Sequence, residues 1–227
     1  MNSPTPDIVV RRSFLARLAT AGSALAAVVA LPSTSSAQSS RGPTHPADAW
    51  LDDLKGQHKN IFDCISIETG PTGWTFARNF LTANTGPIYQ LKDADVNAIV
   101  CVRHLASVFG FNDAMWAKYK LGEVFKVNDP ATNAPSVHNF FYKAPPGTWP
   151  IPGMGIDELM ASGALFGACN MAIKFYSGIV GKQMNLKPED VANDWRANLL
   201  PTVQVVPSGV WAVNRVQELG CTYCFAG

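Results

Sequence analysis

The sequence predicts an α/β fold in which a mostly parallel sheet of about five strands is covered by helices on both faces. Two observations predict it. Short runs with strand composition alternate along the chain with stretches that have helical spacing or helix caps, and there is no internal repeat. The order strand, helix, strand is typical of parallel sheets whose two faces are both covered.

Five runs have the composition of strands. The clearest of them is Val-Asn-Ala-Ile-Val-Cys-Val at residues 96–102, which is apolar along almost its whole length. The carboxyl ends of parallel strands meet at one edge of the sheet, where ligands bind in open α/β folds. The predicted strands are residues 60–67, 96–102, 164–168, 202–206 and 221–225.

The helices are predicted from apolar spacing and from the residues that begin or end helices. Asn112 and Ser208 are N-cap residue types, Pro188 suits the first turn of a helix, and Gly163 ends a helical turn. The predicted helices are residues 74–83, 112–120, 157–162, 170–176, 188–199 and 209–219.

The first 37 residues predict an export signal. The twin-arginine motif Arg11-Arg12-Ser13-Phe14-Leu15 precedes an apolar stretch at residues 18–31, and Ser35-Ser36-Ala37 is a small-residue cleavage site. The apolar stretch is shorter than the roughly 20 residues of a membrane-spanning helix. We therefore expect a periplasmic protein with no membrane span after cleavage, a linker over residues 38–55 and one α/β domain over residues 56–227. Residues 124–155 are predicted to be an irregular insertion in that domain.

The charge of the chain excludes several classes of partner. The leader contains three of the 18 basic residues and one of the 17 acidic ones, so the mature net charge is about −1. A chain with this charge and without a basic stripe is not expected to bind nucleic acid. The sequence also contains no phosphate-binding glycine loop, no Gly-x-Ser-x-Gly and no His-Glu-x-x-His. Small molecules or proteins are therefore the expected partners.

Polar and reactive residues follow three of the predicted strands. Arg103 and His104 end the second strand, Cys169 and Asn170 the third, and Ser208 follows the fourth. Because these strand ends lie at one edge of a parallel sheet, we expect the five residues to converge.

Cys169 is the candidate nucleophile. At the N-terminus of a helix, backbone N–H groups and the helix dipole stabilise the thiolate, and the alternative is a small buried apolar residue. His104 either holds or protonates a substrate group or is a hydrogen-bonded structural histidine. Arg103 either binds an anion with its fork or is a solvated strand end. Asn112, Asn170 and Ser208 are candidate ligand-binding residues, although Asn112 and Ser208 are first of all helix caps.

Cys221 and Cys224 are a possible redox or structural pair. If residues 221–225 form a strand, the two residues lie about 10 Å apart and face opposite sides of the sheet, beyond the roughly 7 Å between Cα atoms that a disulfide tolerates. This geometry favours a structural role. Cys64 and Cys101 are expected in the core.

Segments in the last third of the chain resemble a known family. They are Glu158-Leu-Met-Ala-Ser-Gly-Ala-Leu-Phe-Gly-Ala-Cys169-Asn-Met-Ala, Val205-Val-Pro-Ser-Gly-Val-Trp-Ala-Val and Gln217-Glu-Leu-Gly220. They resemble the DsrE/DsrF-like sulfur-relay family, and most of all its exported members with a twin-arginine leader and a Cys-Thr-Tyr-Cys-like tail. The resemblance covers roughly residues 57–225 in element order. The insertion at 124–155 departs from the compact pattern of the cytoplasmic sulfur carriers.

The resemblance implies a DsrE-like fold and a persulfide on Cys169. The expected function is therefore a sulfur carrier or sulfurtransferase, whose partner is a small sulfur species or a partner sulfur protein. The alternative is a non-catalytic protein that uses the same fold to bind a small ligand or to assemble. No cofactor and no metal are expected. The resemblance and the aromatic insertion residues Phe140, Phe141, Tyr142 and Trp149 together predict a homo-oligomer, and the insertion is the expected cover of Cys169.

Overall fold

The computed structural model describes residues 45–149 and 152–227, so the expected leader at 1–37 lies outside the described residues. The described chain forms a five-stranded sheet of the order β4-β3-β2-β1-β5, in which every pair of neighbours is parallel. The predicted α/β fold is confirmed. The strands are β1 (His58–Cys64), β2 (Val96–Val102), β3 (Leu165–Cys169), β4 (Gln204–Val206) and β5 (Thr222–Phe225).

Seven α-helices connect and cover the described strands, with short 3-10 helices at Pro46–Leu51, Asp93–Asp95 and His104–Gly110. Both predicted N-caps form. The Asn112 side chain accepts a hydrogen bond from the Met115 N–H at 3.3 Å, and Ser208 Oγ accepts one from the Trp211 N–H at 3.1 Å. The helices are α1 (Gly70–Thr85), α2 (Asp113–Lys118), α3 (Leu121–Phe125), α4 (Ile156–Ala161), α5 (Asn170–Met184), α6 (Pro188–Ala197) and α7 (Gly209–Glu218).

The direction of the chain decides which helix covers which face. From β1 to β4 each strand is added beside the previous one, whereas β5 lies beyond β1. Since parallel crossovers are right-handed, the helices of the first three connections lie on one face and α7 lies on the other. The two buried clusters agree with this division: α1, α4, α5 and α6 supply the first, and α7 supplies Ala212 and Val216 to the second.

Helix α1 lies very close to the sheet. A Cβ atom at Gly73 would lie 1.9 Å from the Sγ atom of Cys64, so no side chain fits there. Trp74, the next residue, is fully buried and makes edge contacts with the rings of Phe109 and Phe141. The glycine therefore lets the helix approach β1 closely enough to bury a tryptophan.

The insertion packs against the core of the domain that contains it. Its described residues between α3 and α4 contain no helix or strand beyond an isolated bridge of Asn128 with Pro135. Asn139 is fully buried and donates to the carbonyls of Phe109 and Phe111 at 2.9 and 3.0 Å. Phe141 is buried, and its neighbours Phe140, Tyr142 and Trp149 are partly buried against the same core. This corrects the expectation that these aromatic residues form an exposed surface for assembly, because they complete the core instead.

The predicted linker at 38–55 is too long. Residues 46–51 form a 3-10 helix, and Leu51 and Leu54 are buried in the second cluster. Asp48 receives hydrogen bonds from Nη2 and Nε of Arg215 at 2.6 and 3.0 Å, and these bonds lower the pKa of its carboxyl group. The segment joins the fold because α7 shares the second face of the sheet with these two leucines.

None of the helices that the structure describes has the length and apolar content to cross a bilayer.

Removing the Leu51 side chain tests whether this segment belongs to the core. We expect Leu51→Ala to lower the free energy of unfolding by about 2–5 kcal/mol, because a fully buried leucine leaves a cavity. Urea unfolding followed by tryptophan fluorescence measures the change. Ile88→Ala is the control, since Ile88 is 88% exposed and should change stability by less than about 0.5 kcal/mol. Equal effects of both substitutions would show that residues 46–54 are not part of the folded core.

Candidate functional site

A cavity of about 510 Å³ lies at the carboxyl ends of β2, β3 and β4. It occupies the point where α5 leaves β3 towards one face of the sheet and α7 leaves β4 towards the other, which is the usual position of ligand sites in such sheets. Four of the sequence-predicted site residues meet here, namely Arg103, His104, Cys169 and Ser208. The remaining lining residues are Met171, Ala172, Phe175, Tyr176, Gly209 and Val210.

Cys169 is both the last residue of β3 and the N-cap of α5. Its Sγ atom accepts a hydrogen bond from the Ala172 N–H at 3.4 Å, and 6% of the residue is exposed. A thiolate is a better acceptor for this N–H than a thiol, and the dipole of the 15-residue helix favours negative charge at the same point. The position therefore suits a group that becomes anionic during a reaction.

Arg103 is fixed by a buried carboxylate. Its Nε and Nη2 atoms donate to Oδ1 and Oδ2 of Asp63 at 2.7 and 2.8 Å, and the Tyr223 hydroxyl donates to Oδ2 at 3.0 Å. Asp63 is almost completely buried, and its hydrogen bonds raise the pKa of Arg103. We call Asp63, Arg103 and Tyr223 the Asp63 clamp. The Nε and Nη2 edge of the Arg103 fork is thus occupied by Asp63 and only the Nη1 side is left, so Arg103 is neither a fully open anion fork nor an unpaired strand end, which corrects both sequence interpretations.

The Arg103 stem lies across Gly209. A Cβ atom at Gly209 would lie 2.5 Å from Cδ and 2.6 Å from Cβ of Arg103, so a side chain here would displace the arginine. Among the described residues, none accepts a hydrogen bond from the remaining Nη1 nitrogen of Arg103. The clamp therefore holds a cation at the cavity with donors left for an anionic ligand.

His104 follows β2 directly and has a left-handed backbone, with φ of +52°. Its Nδ1 atom lies 3.3 Å from the Tyr176 hydroxyl, and the two rings meet edge to face. Burial raises the pKa of Tyr176, so this hydroxyl keeps its proton. When it donates to Nδ1, the proton of a neutral His104 ring is on Nε2, from which it can donate a hydrogen bond to a ligand.

One wall of the cavity is apolar and exposed to solvent. Met171, Phe175 and Val210 are 57, 64 and 67% exposed, a large fraction for apolar side chains of this size. Sequence reasoning missed this wall, although the spacing of Met171 and Phe175 in a predicted helix is a signal for it. It also missed Asp63, an acidic residue inside an apolar run, which is the pattern of a paired buried charge.

Two predicted ligand-binding residues are elsewhere. Asn112 caps α2, and its amide also contacts Asn198 at 3.4 Å. Asn170 is the first residue of α5, but its Oδ1 atom accepts from Nε of Arg196 at 2.9 Å. Neither lines the cavity of Cys169. The reason is that both side chains are used within the fold, one as a cap and the other to join α5 to α6.

The other cysteines do not join the site. Cys64 and Cys101 are fully buried, and burial raises the pKa of both thiols. Cys221 is buried in the second cluster, where burial raises its pKa to about 11, while Cys224 is half-buried against the first cluster. The five cysteines are free, and the two clusters lie on opposite faces of the sheet. The pair at 221 and 224 therefore does not form a disulfide.

Within the part of the chain that the structure describes, the cavity has neither a metal-binding cluster nor a cover from the insertion. Over residues 45–149 and 152–227, no three His, Cys, Asp or Glu side chains are grouped to hold a metal ion. The insertion was the expected cover of Cys169, but none of its described residues lines the cavity. Phe125, at the start of the predicted insertion, contacts a lining residue, with its ring 5.2 Å from that of Tyr176. The expectation is corrected because the insertion packs against α1 and the 3-10 helix at His104–Gly110 instead.

Comparison with known proteins gives a structural likeness. No family model and no curated protein matches the chain. A solved protein of unknown function from Methanobacterium thermoautotrophicum is similar, with 15% identity and a TM-score of 0.39 over 74% of this chain and 98% of that one. What the site can do therefore follows from its own residues.

The charge of Arg103 can be tested through the reactivity of Cys169. We expect Arg103→Gln to lower the ratio of the alkylation rates of Cys169 by iodoacetate and by iodoacetamide by about two- to tenfold, because the cation attracts the anionic reagent. Peptide mass spectrometry measures both rates, and their ratio cancels changes in access. Lys118→Gln is the control, since Lys118 is also ion-paired, with Asp194, but lies outside the cavity. A ratio that falls equally in both variants would contradict the assignment.

Proposed function

We propose that this protein carries sulfur as a persulfide on Cys169, as a sulfur carrier or sulfurtransferase of the DsrE-like type. The observation that carries the proposal is the position of this thiol, which caps α5 at a cavity that also contains Arg103 and His104. A helix N-terminus and a fixed cation favour a sulfur anion there. The sequence resemblance to the sulfur-relay family supports the same chemistry.

Loading follows from thiol exchange chemistry. The Cys169 thiolate attacks a sulfur atom of a polysulfide, a new S–S bond forms, and the S–S bond to the departing fragment breaks. The departing sulfur takes the electron pair and leaves as a polysulfide anion, to which the Nε2–H group of His104 donates a hydrogen bond. The polysulfide itself contributes the oxidised sulfur, so no further oxidant takes part.

Transfer of the sulfur to an acceptor is a second thiol exchange, in which Cys169 is the leaving group. A thiolate of the acceptor attacks the outer sulfur of the persulfide, and Cys169 leaves as a thiolate. The Ala172 N–H and the first turn of α5 stabilise this leaving group, as they stabilise the attacking thiolate in the loading step. Arg103, held by Asp63, supports the negative charge that moves along the sulfur atoms.

The apolar wall favours a second candidate function. A cavity with Met171, Phe175 and Val210 on one side and Arg103 on the other suits a small amphiphilic anion that is bound and not converted. In such a binding protein Cys169 is a helix cap only. The chemical reactivity of Cys169 separates the two functions.

Treatment with polysulfide tests the proposal directly. We expect intact-mass spectrometry of the mature protein to show one or more added sulfur atoms, removed by dithiothreitol, and absent in Cys169→Ser. Cys224→Ser is the matched control, because Cys224 is half-buried and outside the cavity. Sulfur that persists in Cys169→Ser and disappears in Cys224→Ser would reject the carrier and leave the binding protein.

We further propose export to the periplasm by the twin-arginine pathway. Changing both Arg11 and Arg12 to Lys should leave uncleaved precursor in the cytoplasm, because the pathway requires the arginine pair. Cell fractionation and immunoblotting with an antibody to the folded domain measure this. The expected mature N-terminus is near Gln38. Unchanged periplasmic accumulation of the double variant would refute the assignment.

The family resemblance also leads us to propose assembly into a homo-oligomer. Multi-angle light scattering of the mature protein at micromolar concentration should give a mass that is a multiple of the chain mass. A monomer mass across the concentration range would contradict this.

A further inference from the structure

Helix α5 has apolar side chains on two sides. Its inner side contributes Ile173, Tyr176 and Val180 to the core. On its outer side, Met171, Phe175 and Ile179 follow one another at four-residue intervals and are 57, 64 and 38% exposed. Residues at this spacing form one continuous stripe on a helix. The chain thus leaves a row of large apolar groups in solvent beside the cavity.

The charges on α5 and in the residues that follow it directly are of one sign. Residues 169–187 contain Lys174, Lys182 and Lys187 and no acidic residue. The whole chain, in contrast, has nearly equal numbers of basic and acidic residues. Lys174 and Lys182 are exposed, and among the described residues neither has an acidic partner. Two exposed positive charges on α5 therefore flank the stripe.

We infer that the outer surface of α5 with Val210 of α7 is a docking site for an acidic segment of another protein that carries apolar anchor residues. We define this α5 surface as Met171, Lys174, Phe175, Ile179, Lys182 and Val210. Apolar anchors account for most of the affinity of such contacts, while complementary charges set orientation and association rate. The apolar stripe and the lysines beside it are complementary to a segment that alternates acidic and large apolar side chains.

A second copy of this chain fits the α5 surface less well. Gly178 is the smallest residue near the middle of the stripe, and a Cβ atom there would meet nothing within 4 Å, so close approach would centre on it. An antiparallel copy of α5 centred on Gly178 would place Lys174 opposite the copy's Lys182. A parallel copy would oppose each lysine to itself. Both arrangements bring like charges together, which an acidic partner avoids.

The α5 surface is continuous with the cavity, because Met171, Phe175 and Val210 belong to both. A docked segment would therefore extend over Cys169 and exclude water from it. Docking does not require that Cys169 carries sulfur, so the inference goes beyond the proposed function. A failure of the polysulfide experiment leaves it standing.

Fluorescence anisotropy with synthetic peptides tests the α5 surface in the mature protein. The probe is a labelled amphipathic peptide of Glu, Leu and Phe, and the comparison peptide has every Glu replaced by Lys. We expect saturable binding of the acidic peptide only, weakened by added salt. Phe175→Ser and the double variant Lys174→Glu with Lys182→Glu should each weaken binding by about tenfold or more.

A matched variant controls for general effects of the substitutions. Ile88→Ser with Lys92→Glu removes one exposed large apolar side chain and reverses one exposed lysine at residues that do not belong to the α5 surface, and it should leave binding unchanged. Circular dichroism confirms that each variant is folded.

Three results would overturn the inference. The first is the absence of acidic-peptide binding, or equal binding of both peptides. The second is sedimentation of the protein together with phosphatidylglycerol vesicles, provided that the lysine double variant no longer sediments with them. The surface would then bind a membrane. The third is a concentration-dependent dimer that Phe175→Ser converts to monomer, because the surface would then bind a second copy.

Discussion

The handedness of parallel crossovers is the constraint on which the candidate site depends. The chain adds β2, β3 and β4 in one direction and then returns past β1 to place β5. Because right-handed connections keep a helix on the face set by the direction of travel, this reversal sends α5 and α7 to opposite faces of the sheet. β3 and β4 are neighbours, so the two helices diverge at their ends. The space between the helices is the cavity, with Cys169 on one side and Ser208 on the other.

The Asp63 clamp connects this cavity to the assembly of the sheet. A carboxylate as deeply buried as Asp63 is costly unless a cation and hydrogen-bond donors compensate it. The compensation comes from two other strands, since Asp63 is in β1, Arg103 follows β2 and Tyr223 is in β5. Each strand must be in register for the carboxylate to be satisfied. The position of the cation at the cavity is therefore set by the sheet itself, and Gly209 leaves the room that the arginine stem needs.

Local sequence patterns predicted the strands and helix caps well, and predicted only part of the candidate site. The strand Val96–Val102 was predicted at its observed bounds, and the caps Asn112 and Ser208 form, because apolar runs and capping side chains act within a few residues. The order of the strands does not follow from such patterns, so the Asp63 partner of Arg103 could not be foreseen. The 3-10 helix at Pro46–Leu51 was missed for the same reason: its leucine is buried by contacts made far along the chain.

The ion pair of Asp48 and Arg215 joins residues that are 167 positions apart. It ties the first described segment of the domain to α7, near the other end of the chain. Contacts across so long a separation form late in folding, because a large loop must close first. During synthesis the cluster that contains Leu51 and Leu54 stays incomplete until α7 has left the ribosome, because Ala212 and Val216 belong to it. A chain that stops before α7 lacks the Arg215 partner of Asp48 and part of the apolar cover of these leucines, so the attachment of the first described turns is completed by the last helix.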